Sequence, residues 1–180
     1  LIVGGAAFNE YQRASAAAKA EAFGDALFAA LQQDNSPDRV AALQAIETTP
    51  ENAPIQALLL AAEAANPDDE GADAEAAKTA LEALASSADV PEIYRNMARV
   101  RLVLLGDVVA RDERLALIET LSIDGQPFRI TGMEQRAMLH IEDGETQPAI
   151  DLLNRIVTDA EASQGQRQRA AQLIVALGGE

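Results

Sequence analysis

Four segments of this chain repeat the same apolar pattern at nearly constant spacing. VAALQAI, AKTALEAL, RLALIETL and AIDLLNRI each place two large aliphatic residues three positions apart, and successive segments are offset by 38, 37 and 35 residues. The pairs are Leu43/Ile46, Leu81/Leu84, Ile118/Leu121 and Leu153/Ile156. A helical hairpin cannot bury both of its apolar faces alone, so a period of this length predicts hairpins stacked in a row. The predicted fold is an all-α solenoid of about four helical hairpins with a C-terminal capping helix. A plain antiparallel bundle is the alternative.

The clearest hairpin spans residues 128–159. Its first half places Ile130, Met133, Ala137, Met138 and Ile141 at helical spacing, and its second half repeats this with an apolar stripe from Ala149 to Val157. Gly144 lies between the two runs and can adopt a left-handed backbone without steric cost, so it is predicted to end the first helix.

The remaining helices are predicted from the same periodicity and from their end signals. Ser36 followed by Pro37 predicts a capped helix start, and Asp89 with Glu92 has the spacing of a capping box. The predicted helices other than the 128–159 hairpin cover residues 8–31, 38–47, 53–65, 73–85, 89–105, 112–121 and 166–177.

Composition supports this fold class and excludes several functions. Aromatic residues make up only 3% of the chain, which disfavours a sheet-rich domain. The net charge of −15 makes nucleic acid a poor partner, because phosphate binding needs clustered Lys and Arg. The chain has no Cys, which excludes disulfides, thiolate nucleophiles and Cys-ligated zinc.

No catalytic, cofactor or metal site is predicted. The one histidine, His140, is expected to have a packing or helix-end role, since a general base needs a positioned partner. The acidic loop 66–75 fails as a calcium loop: with Gly71 at its sixth position, the twelfth is Ala77, where a bidentate Glu is required. The sequence therefore predicts a protein that is not an enzyme.

Residues 1–7 (LIVGGAA) are apolar and uncharged. They are far fewer than the roughly 20 residues that span a bilayer. Two interpretations follow from composition: the outer end of a transmembrane helix, or the first turn of an ordinary helix.

The hairpin over residues 130–163 resembles the tetratricopeptide motif. In this alignment Ala137 and Ala149 take the small positions, while Met133, His140 and Leu153 take large ones. Arg136 departs from the motif, whose residue at that position is normally apolar.

A narrower resemblance covers nearly the whole chain. NEYQRASAAAKAEAFGDAL, YRNMARVRLVLL, the hairpin from PFRITG to NRIV, and QRQRAAQLIVALG look like the bacterial tetratricopeptide-like ancillary subunits of the Sec translocon. Members of that family carry one N-terminal transmembrane helix and a periplasmic repeat domain that contacts the translocon and periplasmic chaperones.

This resemblance implies the domain organisation, location and partners. Residues 1–7 would be the outer end of a truncated membrane anchor, and residues 8–180 a single repeat domain. The protein would be a non-catalytic scaffold, anchored in the inner membrane by a single pass, that links translocon subunits with periplasmic chaperones. Whether it forms a homodimer through its long first helix is left open.

Two groups of residues are candidates for partner binding. Arg95 and Arg99 lie four apart on one helical face and could grip a carboxylate, or could instead pair with Glu92 one turn away or with acids on adjacent repeats. In the second group, the motif alignment places Thr131, Glu134, Met138 and Ile141 on the concave wall, which would suit a helix or an extended peptide. The Arg pair underlies an alternative function, a cytosolic tetratricopeptide adaptor that binds acidic peptide C-termini.

Overall fold

The structure, a computed structural model, describes residues 2–66 and 72–179, with side chains from residue 9 onwards. Within these ranges the chain forms nine α-helices and no strand. The helices are α1 (Ile2–Leu31), α2 (Ser36–Gln44), α3 (Ala53–Ala64), α4 (Ala74–Ser86), α5 (Glu92–Leu104), α6 (Arg111–Leu121), α7 (Arg129–Glu142), α8 (Thr146–Thr158) and α9 (Gln164–Ala176), with a 3-10 turn at Gly106–Val108 between α5 and α6. The all-α prediction is confirmed.

The chain divides into two compact units, Leu1–Ala77 and Lys78–Glu180, and the division falls inside α4. In the first unit α2 packs against both α1 and α3. Polar contacts hold α2 to α3: the Arg39 guanidinium lies 2.7 Å from Glu63, and Gln56 donates to the carbonyl of Leu43 at 2.7 Å. The predicted second hairpin, α3 with α4, straddles the division between the units.

The second unit contains two helical hairpins and a last helix. α5 packs on α6, α7 on α8, and α9 on α8. α6 packs on α7 and thereby joins one hairpin to the next, and α5 also contacts α7. Consecutive hairpins therefore stack in sequence order and α9 covers the last one, which confirms the predicted solenoid-like arrangement and capping helix.

The repeated aliphatic pairs form the core. All of these residues are buried except Ile46, which is half-buried. One cluster joins α7, α8 and α9 around Ile130, Leu153, Ile156 and Ile174, and a smaller one joins α5, α6 and α7 through Val103, Ile118 and Leu139. The hydrophobic effect therefore acts mainly between helices that are neighbours in sequence.

Gly144 ends α7 as predicted. Its φ of 75° is left-handed, the N–H of Glu145 donates to the carbonyl of His140 at 2.8 Å, and the N–H of Gly144 donates to that of Ile141 at 3.0 Å. This is the Schellman arrangement, which satisfies carbonyls left unpaired at the helix end. It turns the chain directly into α8.

Two predicted helix starts are wrong. Asn35, not Ser36, caps α2 by accepting the N–H of Asp38, while Ser36 is buried and donates to Glu63. The capping box at Asp89 does not form: α5 begins at Glu92, after Pro91 in an extended conformation with ψ of 141°. A proline disfavours helical geometry in the residue before it, so Val90 could not serve as a first helical residue after an Asp89 cap.

At the N-terminus, α1 begins at Ile2, not at the predicted Phe8, and runs through the segment assigned to an anchor. Among the described residues no helix combines the length and apolar character needed to cross a membrane. The anchor at residues 1–7 and the single repeat domain over residues 8–180 stay predictions.

Candidate functional site

A groove of about 720 Å³ runs between α7 and α9. α8 packs against both helices, so they lie on it side by side. The groove is lined by Thr131, Glu134, Gln135 and Met138 of α7 and by Arg169, Gln172, Leu173 and Ala176 of α9. In both helices these positions follow the i, i+3, i+4, i+7 spacing of a single helical face.

Three of the predicted concave-wall residues, Thr131, Glu134 and Met138, lie in this groove. Ile141 is half-buried one turn further along α7 and is not among the residues that line it. The α9 side was not predicted, because from the sequence this helix was expected only to cap the stack. Its signal was the polar and small-residue stripe that Arg169, Gln172 and Ala176 form opposite the buried Ala170 and Ile174.

The groove is lined by both apolar and polar side chains. Met138 is 37% exposed, although a large apolar side chain is normally buried where it can be. Leu173 and Ala176 face it from α9. Arg169 and Glu134 form an ion pair at 3.0 Å between the two helices. Because Arg169 is largely exposed, this pair is weak enough to rearrange when a partner binds.

A smaller pocket of about 240 Å³ lies between α5 and α7 and shares Gln135 and Met138 with the groove. On the α5 side it is lined by Val103 and by Leu104, which is 58% exposed. α5, α7 and α9 therefore present exposed apolar side chains along one side of the second unit, with Met138 at the junction.

Arg114 lies at the polar end of this smaller pocket, and this residue was not predicted from the sequence. Its side chain is buried, and it donates to both carboxylate oxygens of Glu142 at 3.2 and 2.9 Å. A planar guanidinium suits such a bidentate bond, which here joins α6 to α7. The sequence signal was a basic residue next to the apolar stripe of α6.

Two further ion pairs connect neighbouring helices and shift carboxyl pKa values. Arg111 at the start of α6 donates to Asp143 after α7 and lowers the pKa of that carboxyl. Arg129 donates to both oxygens of Asp159 at 2.8 Å, which lowers the pKa of Asp159 and raises that of the guanidinium. Both pairs join residues about one hairpin apart in sequence, so they fix the stacking of successive helices.

Arg95 and Arg99 do not join the four α7 residues. Arg99 donates to Asn96 at 2.5 Å and to the carbonyl of Ala85 at 3.2 Å, while the Nε of Arg95 is buried without a hydrogen-bond partner. In the described part of the chain neither forms an ion pair with Glu92. A carboxylate clamp at this pair would have to displace the bonds that Arg99 already makes.

The described residues contain no group of His, Asp and Glu side chains placed to hold a metal ion. His140 lies in the last turn of α7, with its Nδ1 2.6 Å from Glu145. Residues 67–71, half of the acidic loop considered for calcium, lie outside the described residues.

No family model matches the chain, and comparisons with curated proteins and with solved structures find no match.

Proposed function

We propose that this chain is a non-catalytic protein–protein interaction scaffold that binds a segment of a partner protein in the groove between α7 and α9. The observation that carries the proposal is Met138, a methionine that is 37% exposed where the groove meets the smaller pocket, with Leu173 and Ala176 on the opposite wall of the groove. A flexible, polarisable thioether adapts its shape to different apolar side chains, so it suits a surface that receives them.

The occupant we propose is an amphipathic helix. A groove between two parallel ridges accepts a third helix through apolar side chains spaced i, i+3, i+4 and i+7. The polar lining residues support this choice: Thr131, Gln135 and Gln172 offer uncharged hydrogen-bonding groups in the same groove. Such groups suit the polar flanks of an amphipathic helix.

The setting we propose comes from the sequence resemblance. The scaffold would be tethered to the inner membrane with its repeats in the periplasm, and its partners would be subunits of the Sec translocon and periplasmic chaperones. Fractionation of cells that produce the intact gene product tests this setting. Recovery with inner membranes is expected, whereas a purely soluble cytoplasmic protein would remove it.

The groove itself is tested by selecting helical peptides from a displayed library against the purified chain. Peptides with an apolar stripe should be enriched, and Met138→Glu should weaken their binding at least about tenfold, because it places a charge in a desolvated contact. The matched control is Val175→Glu, which introduces the same charge on α9 at a residue that is 71% exposed and is not among the groove-lining residues. If both variants bind the peptides as well as the wild type does, the groove is not the binding site.

A further inference from the structure

α7 lines a second cleft, of about 420 Å³, on the side away from the groove. Its α7 residues are Arg129, Met133, Arg136 and His140, and its α8 residues are Pro148, Asp151, Leu152 and Arg155, with Ser122 and Asp124 at one end. At about 100° per residue, this stripe of α7 lies about 180° from the stripe that faces α9. The cleft is therefore a separate surface, and a ligand there leaves the groove open.

The cleft gathers basic residues in a chain whose net charge is −15. Arg136 on α7 and Arg155 on α8 are both exposed, and in the part of the chain that the structure describes neither forms an ion pair. Several other arginines, such as Arg39, Arg114 and Arg129, pair with nearby carboxylates. Arg101 on α5 is likewise exposed and has no ion pair among the described residues, so what distinguishes the cleft is that two such arginines line one concavity.

The other basic residues of the cleft already have carboxylate partners, and the cleft also holds the carboxylates of Asp124 and Asp151. Arg129 is neutralised by Asp159 and Glu161, each 2.8 Å from its Nη2 atom, and His140 contacts Glu145. The carboxylate of Asp151 accepts a hydrogen bond from Gln147 at 2.8 Å. Arg136 and Arg155 are therefore the two arginines of the cleft that have no carboxylate partner among the described residues.

Apolar side chains lie between the basic ones. Met133 and Leu152 are buried and line the cleft from α7 and α8. A ligand for this cleft should carry carboxylates and some aliphatic surface.

We propose that the cleft binds an acidic segment of a polypeptide, whose carboxylates accept hydrogen bonds from Arg136 and Arg155 while its aliphatic groups contact Met133 and Leu152. Guanidinium groups bind carboxylates through paired, charge-assisted hydrogen bonds. A nucleic acid is disfavoured, because its binding needs more clustered basic residues than this cleft holds and its backbone offers no aliphatic side chain for Met133 and Leu152. Binding here is independent of the proposed groove and adds a second contact to the scaffold.

The test measures fluorescence anisotropy with a short labelled peptide in which Glu alternates with Leu. The purified chain should bind this peptide and not the same peptide with Gln in place of Glu, and binding should weaken as salt is raised. Arg136→Gln and Arg155→Gln should each weaken binding about fivefold, the effect of losing an exposed ion pair at the strong end of its range. The double variant should bind about 20-fold more weakly or not at all.

Arg101→Gln is the matched control, because Arg101 is an exposed arginine on α5 outside the cleft and its replacement makes the same change in charge. Equal loss of binding with Arg101→Gln would overturn the proposal, since it would show attraction by overall charge alone. Three other results would also overturn the proposal: displacement of the peptide by inorganic phosphate at matched ionic strength, tighter binding of single-stranded DNA than of the peptide, and self-association of the chain that depends on Arg136. Met138→Glu should leave acidic-peptide binding unchanged, so failure of the groove and failure of the cleft are distinguishable.

Discussion

Gly132 tests the stacking of one hairpin on the next. It lies in α7 against the end of α6, where a Cβ atom would be 2.5 Å from the Oγ of Ser122, 3.0 Å from the backbone nitrogen of Ser122 and 3.1 Å from the Cβ of Leu121. The Ser122 side chain could rotate away from the added methyl group. The backbone nitrogen and the Leu121 Cβ cannot move unless the two helices separate.

The size of the effect of Gly132→Ala follows from two opposing terms. Replacing Gly by Ala inside a helix stabilises it by about 1 kcal/mol. Overpacking a close contact costs about 1–3 kcal/mol, and the upper part of that range applies where backbone atoms must shift. We therefore expect Gly132→Ala to lower the free energy of unfolding by about 1–2 kcal/mol.

Gly165 in α9 provides the matched control, because it belongs to the same unit and its Cβ would meet only the Nη1 of Arg169 at 3.6 Å, an ordinary contact. Gly165→Ala should raise the free energy of unfolding by up to about 1 kcal/mol. Urea denaturation followed by far-UV circular dichroism measures the free energy of unfolding of both variants.

Adding Ser122→Ala to Gly132→Ala removes the atom nearest to the new Cβ, so the double variant should recover part of the lost stability in a double-mutant cycle. If Gly132→Ala is as stabilising as Gly165→Ala, then α6 and α7 do not approach as described and the reasoning fails.

Two further predictions concern the core and the interhelix ion pairs. Ile156→Ala should lower the free energy of unfolding by about 2–5 kcal/mol, because Ile156 is fully buried in the α7–α8–α9 cluster. As a control, Val175→Ala at an exposed position should change the free energy of unfolding by less than about 0.5 kcal/mol. Equal effects of the two variants in urea denaturation would contradict the packing. For the ion pairs, hydrogen bonds from Arg129 and from the N–H of Glu161 lower the pKa of Asp159 in the folded state. The stability that these bonds contribute is therefore present above the unfolded-state pKa of 3.8 and is lost as pH falls through the folded-state pKa. The difference in unfolding free energy between the wild type and Arg129→Met should therefore be largest above about pH 5 and should shrink towards about pH 2, and a difference that does not change with pH would contradict this assignment.

The helices and their buried faces were predictable from the sequence because both depend on local spacing. Leu81, Ile118 and Leu153 occupy equivalent places in the repeat, and all three are buried. Gly144 was predictable for a similar reason, since only a residue without a side chain adopts its left-handed backbone readily. Helix starts were less predictable. Ser36 and Asp89 carry capping side chains, but a buried contact with Glu63 and the geometry imposed by Pro91 decided the outcome.

The candidate site was predictable only in part. Motif register placed Thr131, Glu134 and Met138 on one face of α7, and the structure places them in one groove. The motif register could not predict the opposite wall of the groove, because Gln172 and Ala176 are some 40 residues away in sequence and face α7 only after α9 packs on α8.

The sequence alone determined that the described chain is helical, that α5 pairs with α6 and α7 with α8, and which faces of these helices are buried, because these properties follow from the periodicity of apolar residues over a few turns. Only the tertiary structure decided which charges are paired and which are free. Arg129 and Arg155 look alike in the sequence, yet Arg129 lies between Asp159 and Glu161 while Arg155 faces an open cleft. Electrostatic pairing depends on distances of a few ångströms between separate helices, and those distances are fixed only when the hairpins stack.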